Sequence, residues 1–339
     1  DIYRGTLKPL GNILDYAFYV SFFPQLVAGP IVRARDFVPQ IRKRPEVSDE
    51  MLGRAVFLFC LGLFKKAVIS DYISVNFVER VFDSPASYTG LENLLGVYGY
   101  SLQIYCDFSG YSDMAIALAL ALGFHFPTNV DKPYRSASVT EFWKRWHISL
   151  SSWLQDYLYI SLGGNRKGTI LTYINLIITM LLGGLWHGAS WNFILWGGMH
   201  GVALVIDKLK NKLLGRDKHY RAKGLNRVFG AIITFHFAAF CWIFFRCPDT
   251  QKAFEMIHTI FTNFQGQVIT QFFSGYKVVS ILMITGYLLH FIPEKWEKSV
   301  EKSVTALPLI GKVLLIVAVI VLVMQVKSSD IQPFIYFQF

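Results

Sequence analysis

The sequence predicts an all-α, polytopic helical membrane protein. Three observations carry that expectation. The 339 residues are 53% hydrophobic and only 17% charged, with a mean hydropathy of +0.38, whereas a soluble chain carries about a quarter charged residues. The apolar residues fall in runs long enough to fill a bilayer core of about 30 Å. The basic residues cluster in short segments between those runs, as the cytoplasmic loops of membrane proteins do.

Taken in order, Ile13 to Gly29 is apolar and aromatic but broken by Pro24, which suits a short or bent span. Met51 to Ile69 reads as a span whose Lys65 and Lys66 snorkel to a headgroup layer. Leu91 to Phe124 is too long for one crossing and is cut by Asp107-Phe-Ser-Gly-Tyr-Ser-Asp113, which predicts two segments joined by a polar break. Val130 to Gly164 is amphipathic and rich in Trp and Tyr. Within it, Ser138-x-x-Glu141 has the spacing of a capping box and predicts a helix start there. Ile170 to Leu185, Ala189 to Ile206, Arg227 to Phe245, Tyr276 to Ile292 and Leu307 to Met324 are the clearest remaining spans.

Between Lys208 and Arg227 stand eight Lys or Arg and a single acid, Asp217, which favours a cytoplasmic loop. The formal charge of +10 does not indicate nucleic acid, because the cations form no groove-tracking stripe. Cys60, Cys106, Cys241 and Cys247 lie in or beside apolar runs with no C-x-x-C spacing and read as packing. The chain does not begin with Met and opens on no signal-peptide pattern. Residues 1–339 read as a single membrane domain that preceding helices would extend.

Ionisable groups inside apolar segments are costly and so are functional candidates. His187 lies in Leu185-Trp-His-Gly-Ala-Ser-Trp191, where one apolar run ends and the next begins. A neutral imidazole is inexpensive to bury and can take a proton near pH 7. Gly183, Gly184 and Gly188 around it would admit substrate or another backbone. The competing reading is a buried histidine bonded to a carbonyl, and spacing alone favours that one. In a continuous helix His147 would share a face with Trp143 and Ser151, and Glu141 would meet Arg145. This segment is either a re-entrant helix lining a cavity or an interfacial helix with an aromatic belt. Asp107 and Asp113 would line a cavity, bind an ion or cap a half-helix. His125, His200, His236 and His290 read as structural. A nucleophile elbow, a phosphate loop and paired metal-ligand spacings are all missing from the sequence, so a serine hydrolase, an ATPase and a zinc hydrolase are poorly supported.

The stretches Tyr105 to Ala115, Pro133-Tyr-Arg-Ser136, Glu141 to Ser151, Asp156-Tyr-Leu-Tyr-Ile160, Gly163-Gly-Asn-Arg166 and Gly184-Leu-Trp-His-Gly188 together resemble the membrane-bound O-acyltransferase (MBOAT) family. Phe23 to Ile31 and the closing Phe334 to Phe339 resemble its alginate O-acetyltransferase branch. The resemblance implies an MBOAT fold, with re-entrant helices around a central cavity, and transfer of an acetyl group from a cytoplasmic thioester towards an extracytoplasmic hydroxyl. Acetyl-CoA would be a co-substrate, and no cofactor or metal would be bound. It puts the family's invariant histidine at His187 and its second motif position, His or Asn, at His147. His187 would be the base, with His147 polarising the thioester carbonyl or positioning the donor. Trp186, Trp143, Asp107, Asp113, Lys144 and Arg145 join them as candidate substrate-binding groups, and Arg166 and Lys167 as further cations at a cytoplasmic mouth. The oxyanion donor would be the indole of Trp186 or Trp191 or an amide near Gly188. The implied setting is the cell inner membrane, with lipid, an acyl donor and extracytoplasmic acetyltransferase or polysaccharide machinery as partners. D-alanyl transfer to teichoic acid and peptidoglycan O-acetylation are alternatives within the family. A transporter or channel is the alternative from another class. Because hydropathy puts His187 on the side opposite the donor, a cavity is expected to join the two.

Overall fold

The computed structural model of the chain describes residues 1–5, 7–217, 220–326 and 334. The closing motif after Phe334, together with Lys218 and His219 of the basic loop, lies outside the described residues. Helices α1 (Ile13–Ser21), α2 (Ala34–Ile41), α3 (Asp49–Leu63), α4 (Asp71–Ile73) and α5 (Glu79–Asp83) lead into the long α6 (Gly90–Ala121). Short α7 (Val139–Trp143) and α8 (Ile148–Trp153) precede a hairpin of α9 (Thr169–His187) and α10 (Trp191–Leu213). Then follow α11 (Gly224–Arg246), α12 (Thr250–Thr262), α13 (Ile269–Gly275), α14 (Lys277–His290), α15 (Glu294–Thr305) and α16 (Leu309–Val326). No strand occurs among the described residues.

By length and composition α9, α11 and α16 can cross a membrane, and α13 with α14, bent by 100°, makes a fourth span if the pair counts as one. On α16 only Lys312 is buried, while Leu309, Ile310, Leu314, Val317 and Met324 are exposed. Such a face is unfavourable in water and at home in hydrocarbon. Two expected spans come out differently. Ile13 to Gly29 folds as the nine-residue α1 and a 3-10 turn, too short to cross at about 1.5 Å per residue. The run from Ala189 becomes α10 (Trp191–Leu213), less apolar than α9 because it carries Asn192, His200 and Asp207 and ends in Lys210 and Lys212.

The expected break in the run from Leu91 to Phe124 is absent. α6 is helical without interruption for 32 residues, started by a reciprocal capping box between Thr89 and Glu92. Two features of the packing let it continue through Asp107 and Asp113. Gly62 of α3 and Gly110 of α6 face each other so closely that a Cβ on Gly110 would lie 2.7 Å from the Gly62 carbonyl oxygen. That approach brings in the residues just after α3. Lys66 Nζ reaches Asp107 at 2.6 Å and Asp71 at 2.7 Å, and Lys65 Nζ reaches Asp113 at 2.8 Å. The lysines therefore turn inward rather than snorkelling outward; their side chains are 16% and 9% exposed. The run from Met51 leaves α-geometry at Phe64 and proceeds in π turns over Phe64–Ser70 and Ser74–Val78. These wide turns hold the ion pairs at the inner face.

One core cluster, including Phe77, Phe82, Tyr100, Phe108, Trp146 and Trp242, joins α6 to the later helices. A second, built on Phe22, Phe37, Phe124 and Phe126, ties α1 and α2 to the end of α6.

Candidate active site

The α9–α10 hairpin positions His187. Its two backbones cross so closely that a Cβ on Gly184 would lie 2.2 Å from the Phe193 carbonyl oxygen, and one on Gly197 2.3 Å from that of Met180. The glycines at the motif thus serve helix contact, the small-residue device of membrane bundles. His187 is the last residue of α9, and the Ser190 hydroxyl caps α10 by accepting from the Asn192 amide at 3.3 Å. The partly exposed imidazole meets Trp186, Trp196 and Phe245 at ring separations of 5.0, 5.2 and 5.1 Å.

His147 comes to the same place from another element. It is buried, and its ring lies 4.6 Å from Phe108 and 6.2 Å from Trp186. Both histidines therefore neighbour the Trp186 indole. His147 does not share a helical face with Trp143 and Ser151, as regular spacing would require. α7 ends at Trp143, and His147 takes a left-handed backbone with φ of 45° before α8 begins. The amides that would continue the helix are captured elsewhere. Ile148 N donates to Asn129 O at 2.8 Å and Ser149 N to Asn129 Oδ1 at 3.2 Å, while Arg145 O accepts from Asp131 N at 2.8 Å. The predicted helix start does appear, with Ser138 Oγ accepting from Glu141 N at 3.1 Å.

α7 runs alongside α10. Thr140 N donates to Asp207 Oδ2 at 3.0 Å, and the Trp143 indole donates to His200 Nδ1 at 3.2 Å. Trp143 next meets Trp196 at 5.7 Å, and Trp196 meets His187. Segment 140–147 thus climbs the inner face of α10 from its basic end to the His187 end. His200 and Trp196, four residues apart on one helical face, form the middle of that ladder; His200 had read as structural, and Trp196 was not singled out. Their i, i+4 spacing was the available signal.

At the basic end a cavity of about 1380 Å³ opens, its lining including Lys144, Arg145, Lys208, Lys210, Arg221 and Arg227. The lining reaches Leu176 and Leu204, about two turns in. Beyond it Trp143, Trp196 and His200 fill the interior, so this cavity is at one end of the bundle rather than its centre. Arg145 is committed to Asp131 at 2.8 Å and Glu141 at 3.1 Å, and Arg227 also reaches Glu141 at 3.1 Å. Burial by itself raises the Glu141 carboxyl, but the Ala137 amide and the Arg227 and Arg145 guanidiniums outweigh it and hold the group below its ordinary value. Lys144 is exposed on the rim, whereas Arg166 and Lys167 are exposed outside the lining. Asp107 and Asp113 face Lys66 and Lys65 across the α3–α6 crossing. Phe334 packs on Tyr111 at 4.4 Å and lies under Lys66 Nζ at 4.9 Å. No group of three or more His, Cys, Asp or Glu able to hold a metal occurs among the described residues.

Lipid-facing helices around a pair of histidines that share one tryptophan describe a polytopic membrane protein with a candidate base inside it. The model of the membrane-bound O-acyltransferase family matches residues 9–247, and the chain belongs to that family. The probable alginate O-acetylase AlgI of Pseudomonas putida is 37% identical over 357 residues, covering 100% of this chain and 72% of that protein. The probable alginate O-acetylase AlgI of Pseudomonas aeruginosa is 44% identical over 268 residues, 77% of this chain and 48% of its own length. The peptidoglycan O-acetyltransferase of Helicobacter pylori is 40% identical over 250 residues, 73% of this chain and 46% of its own. The chain thus spans about half the length of the latter two relatives.

Proposed function

We propose that this chain transfers an acetyl group from a cytoplasmic thioester, acetyl-CoA by our reading, towards hydroxyls of an exported polysaccharide such as alginate, with His187 as general base. The observation that carries the proposal is the partly exposed His187 at the meeting point of α9, α10 and α11, inside an aromatic wall. A hydroxyl attacks a thioester slowly until a base takes its proton, and a neutral imidazole suits that task near pH 7. The acceptor oxygen would add to the carbonyl carbon as its proton passes to His187. When the C–S bond breaks, the same proton would leave with the thiolate. His147, which also neighbours Trp186, would position the donor or polarise its carbonyl. The basic cavity would attract an anionic donor, with Lys144 and Arg145 on its wall three and two residues from His147. The inner membrane as the location, and extracytoplasmic acetyltransferase or polysaccharide machinery as the onward partner, belong to the same reading.

Resemblance to alginate O-acetylases supports polysaccharide as the destination, and the Helicobacter relative supports peptidoglycan as the second reading. His187→Ala in the full-length protein tests both. Ester-bound acetyl on the exported polymer is expected to vanish while membrane abundance stays at the wild-type level. Unchanged acetylation would refute the assignment of the base. Acetyl found on peptidoglycan alone would move the destination to the second reading.

A further inference from the structure

Trp196 is 1% exposed, and its indole Nε1–H has no hydrogen-bond partner among the described residues. Buried donors left unpaired are costly, and native proteins contain few of them. Such a group beside a reaction centre is ready for a partner that exists only during the reaction. The Trp196 ring meets the His187 imidazole at 5.2 Å with the planes 87° apart. It also touches Trp143, His200, Trp242 and Phe245, so the donor sits in a dry aromatic wall.

Most other donors around His187 are committed or exposed; Arg246 Nε, buried and likewise without a partner among the described residues, belongs to a guanidinium that lies over the Phe82 ring at 5.8 Å. The Trp143 indole donates to His200 Nδ1 at 3.2 Å, and the Trp242 indole to the Tyr134 hydroxyl at 3.2 Å. The Gly188 amide is spent on the Leu185 carbonyl at 3.2 Å. The Asn192 amide goes to the Ser190 hydroxyl at 3.3 Å, and those of Phe193 and Ile194 to the Ser190 carbonyl at 3.2 and 3.3 Å. Trp186 and Trp191 are 55% and 74% exposed, which leaves them poorly fixed as electrostatic donors. The sequence alone pointed to Trp186, Trp191 or an amide near Gly188; elimination and burial point elsewhere.

On the reading that His187 is the general base, we propose that the Trp196 N–H is the oxyanion donor of acyl transfer. As the acceptor oxygen adds to the thioester carbonyl carbon and its proton moves to His187, the C=O π pair shifts to the carbonyl oxygen. That oxygen accepts the Trp196 hydrogen bond. When the double bond re-forms, the C–S bond breaks and the thiolate takes the proton from His187. A donor already fixed in a dry wall stabilises the developing charge without reorganising.

The decisive variant replaces Trp196 by β-(3-benzothienyl)alanine, which keeps the bicyclic shape and substitutes sulfur for the N–H. Trp196→Phe and His187→Ala are run beside it in the full-length protein at matched membrane abundance. The readout is the initial rate at which ester-bound acetyl accumulates on the exported polymer. Loss of one such donor lowers rates by about 10²–10³-fold in well-studied cases, and a fall of that order is expected in the isostere with its detergent melting temperature unchanged. A rate within about threefold of wild type in the isostere, with His187→Ala inactive, would overturn this proposal and leave the base assignment standing. Activity in His187→Ala would overturn the base assignment and this proposal with it. If Trp196→Phe is lost to misfolding, the isostere still decides.

Discussion

His147 shows how one residue's backbone and its chemistry are tied together. Its φ of 45° lies in the left-handed region, where Asn, Asp and His are enriched among non-glycine residues and β-branched side chains are outliers. The position must therefore combine a polar side chain with a turn that ends α7 and starts α8, and the His-or-Asn alternation implied by the family resemblance suits both demands. His147→Gly is expected to lower the melting temperature in detergent only through the emptied ring site, because glycine enters this conformation freely. His147→Val is expected to lose about 1–2 kcal/mol or more. Both should lose most of the acetylation if the imidazole serves the donor. Equal melting temperatures for the Gly and Val variants would show that the turn is not a constraint. The residue type was legible in the sequence, but the conformation was not. It depends on Asn129, eighteen positions earlier, capturing the Ile148 and Ser149 amides.

At the scale of the element, α6 stays whole because its charges are answered from another helix. Asp107 and Lys66, 4% and 9% exposed, form a pair in which each compensates the other's loss of hydration. Breaking a buried pair by removing one partner usually costs about 3–5 kcal/mol. Lys66→Met is accordingly expected to lower stability by that order, measured by denaturation in detergent. Lys66→Met with Asp107→Leu should recover much of the loss, since Asp71 is 22% exposed and can turn to water. A single variant as stable as the wild type would refute the pairing argument. Local signals told the truth about helix starts: the Ser138 hydroxyl caps Glu141 as its spacing implies. They misled about the middle of α6, because a polar run looks like a break until its partner forty residues away is known. Lys65 and Lys66 misled for the same reason, reading as headgroup anchors while facing Asp113 and Asp107.

For the whole molecule, the proposed function raises the question of how a base at one end of the bundle would serve a donor at the other. α9 has 19 residues, about 28 Å at 1.5 Å per residue, close to the thickness of a hydrocarbon core. If α9 crosses, the turn holding His187 and the basic rim at Thr169 and Leu213 fall on opposite sides of the membrane, and the proposed orientation puts the cation-rich rim in the cytoplasm. Hydropathy alone implies this opposition, and α7, only five residues long, looks interfacial until its contacts along α10 are seen. Segment 140–147 runs between the two ends, from Asp207 to Trp186. The orientation can be checked by labelling single introduced cysteines, since Cys60, Cys106, Cys241 and Cys247 are all buried and should stay silent. Ala189 and Leu214 are exposed at the two ends of the hairpin. A membrane-impermeant maleimide is expected to label Ala189→Cys in cells with a permeabilised outer envelope and an intact inner membrane. Leu214→Cys should react only after the inner membrane is opened. Labelling of both from one side would mean that α9 and α10 do not cross, and that donor and acceptor approach His187 from the same face.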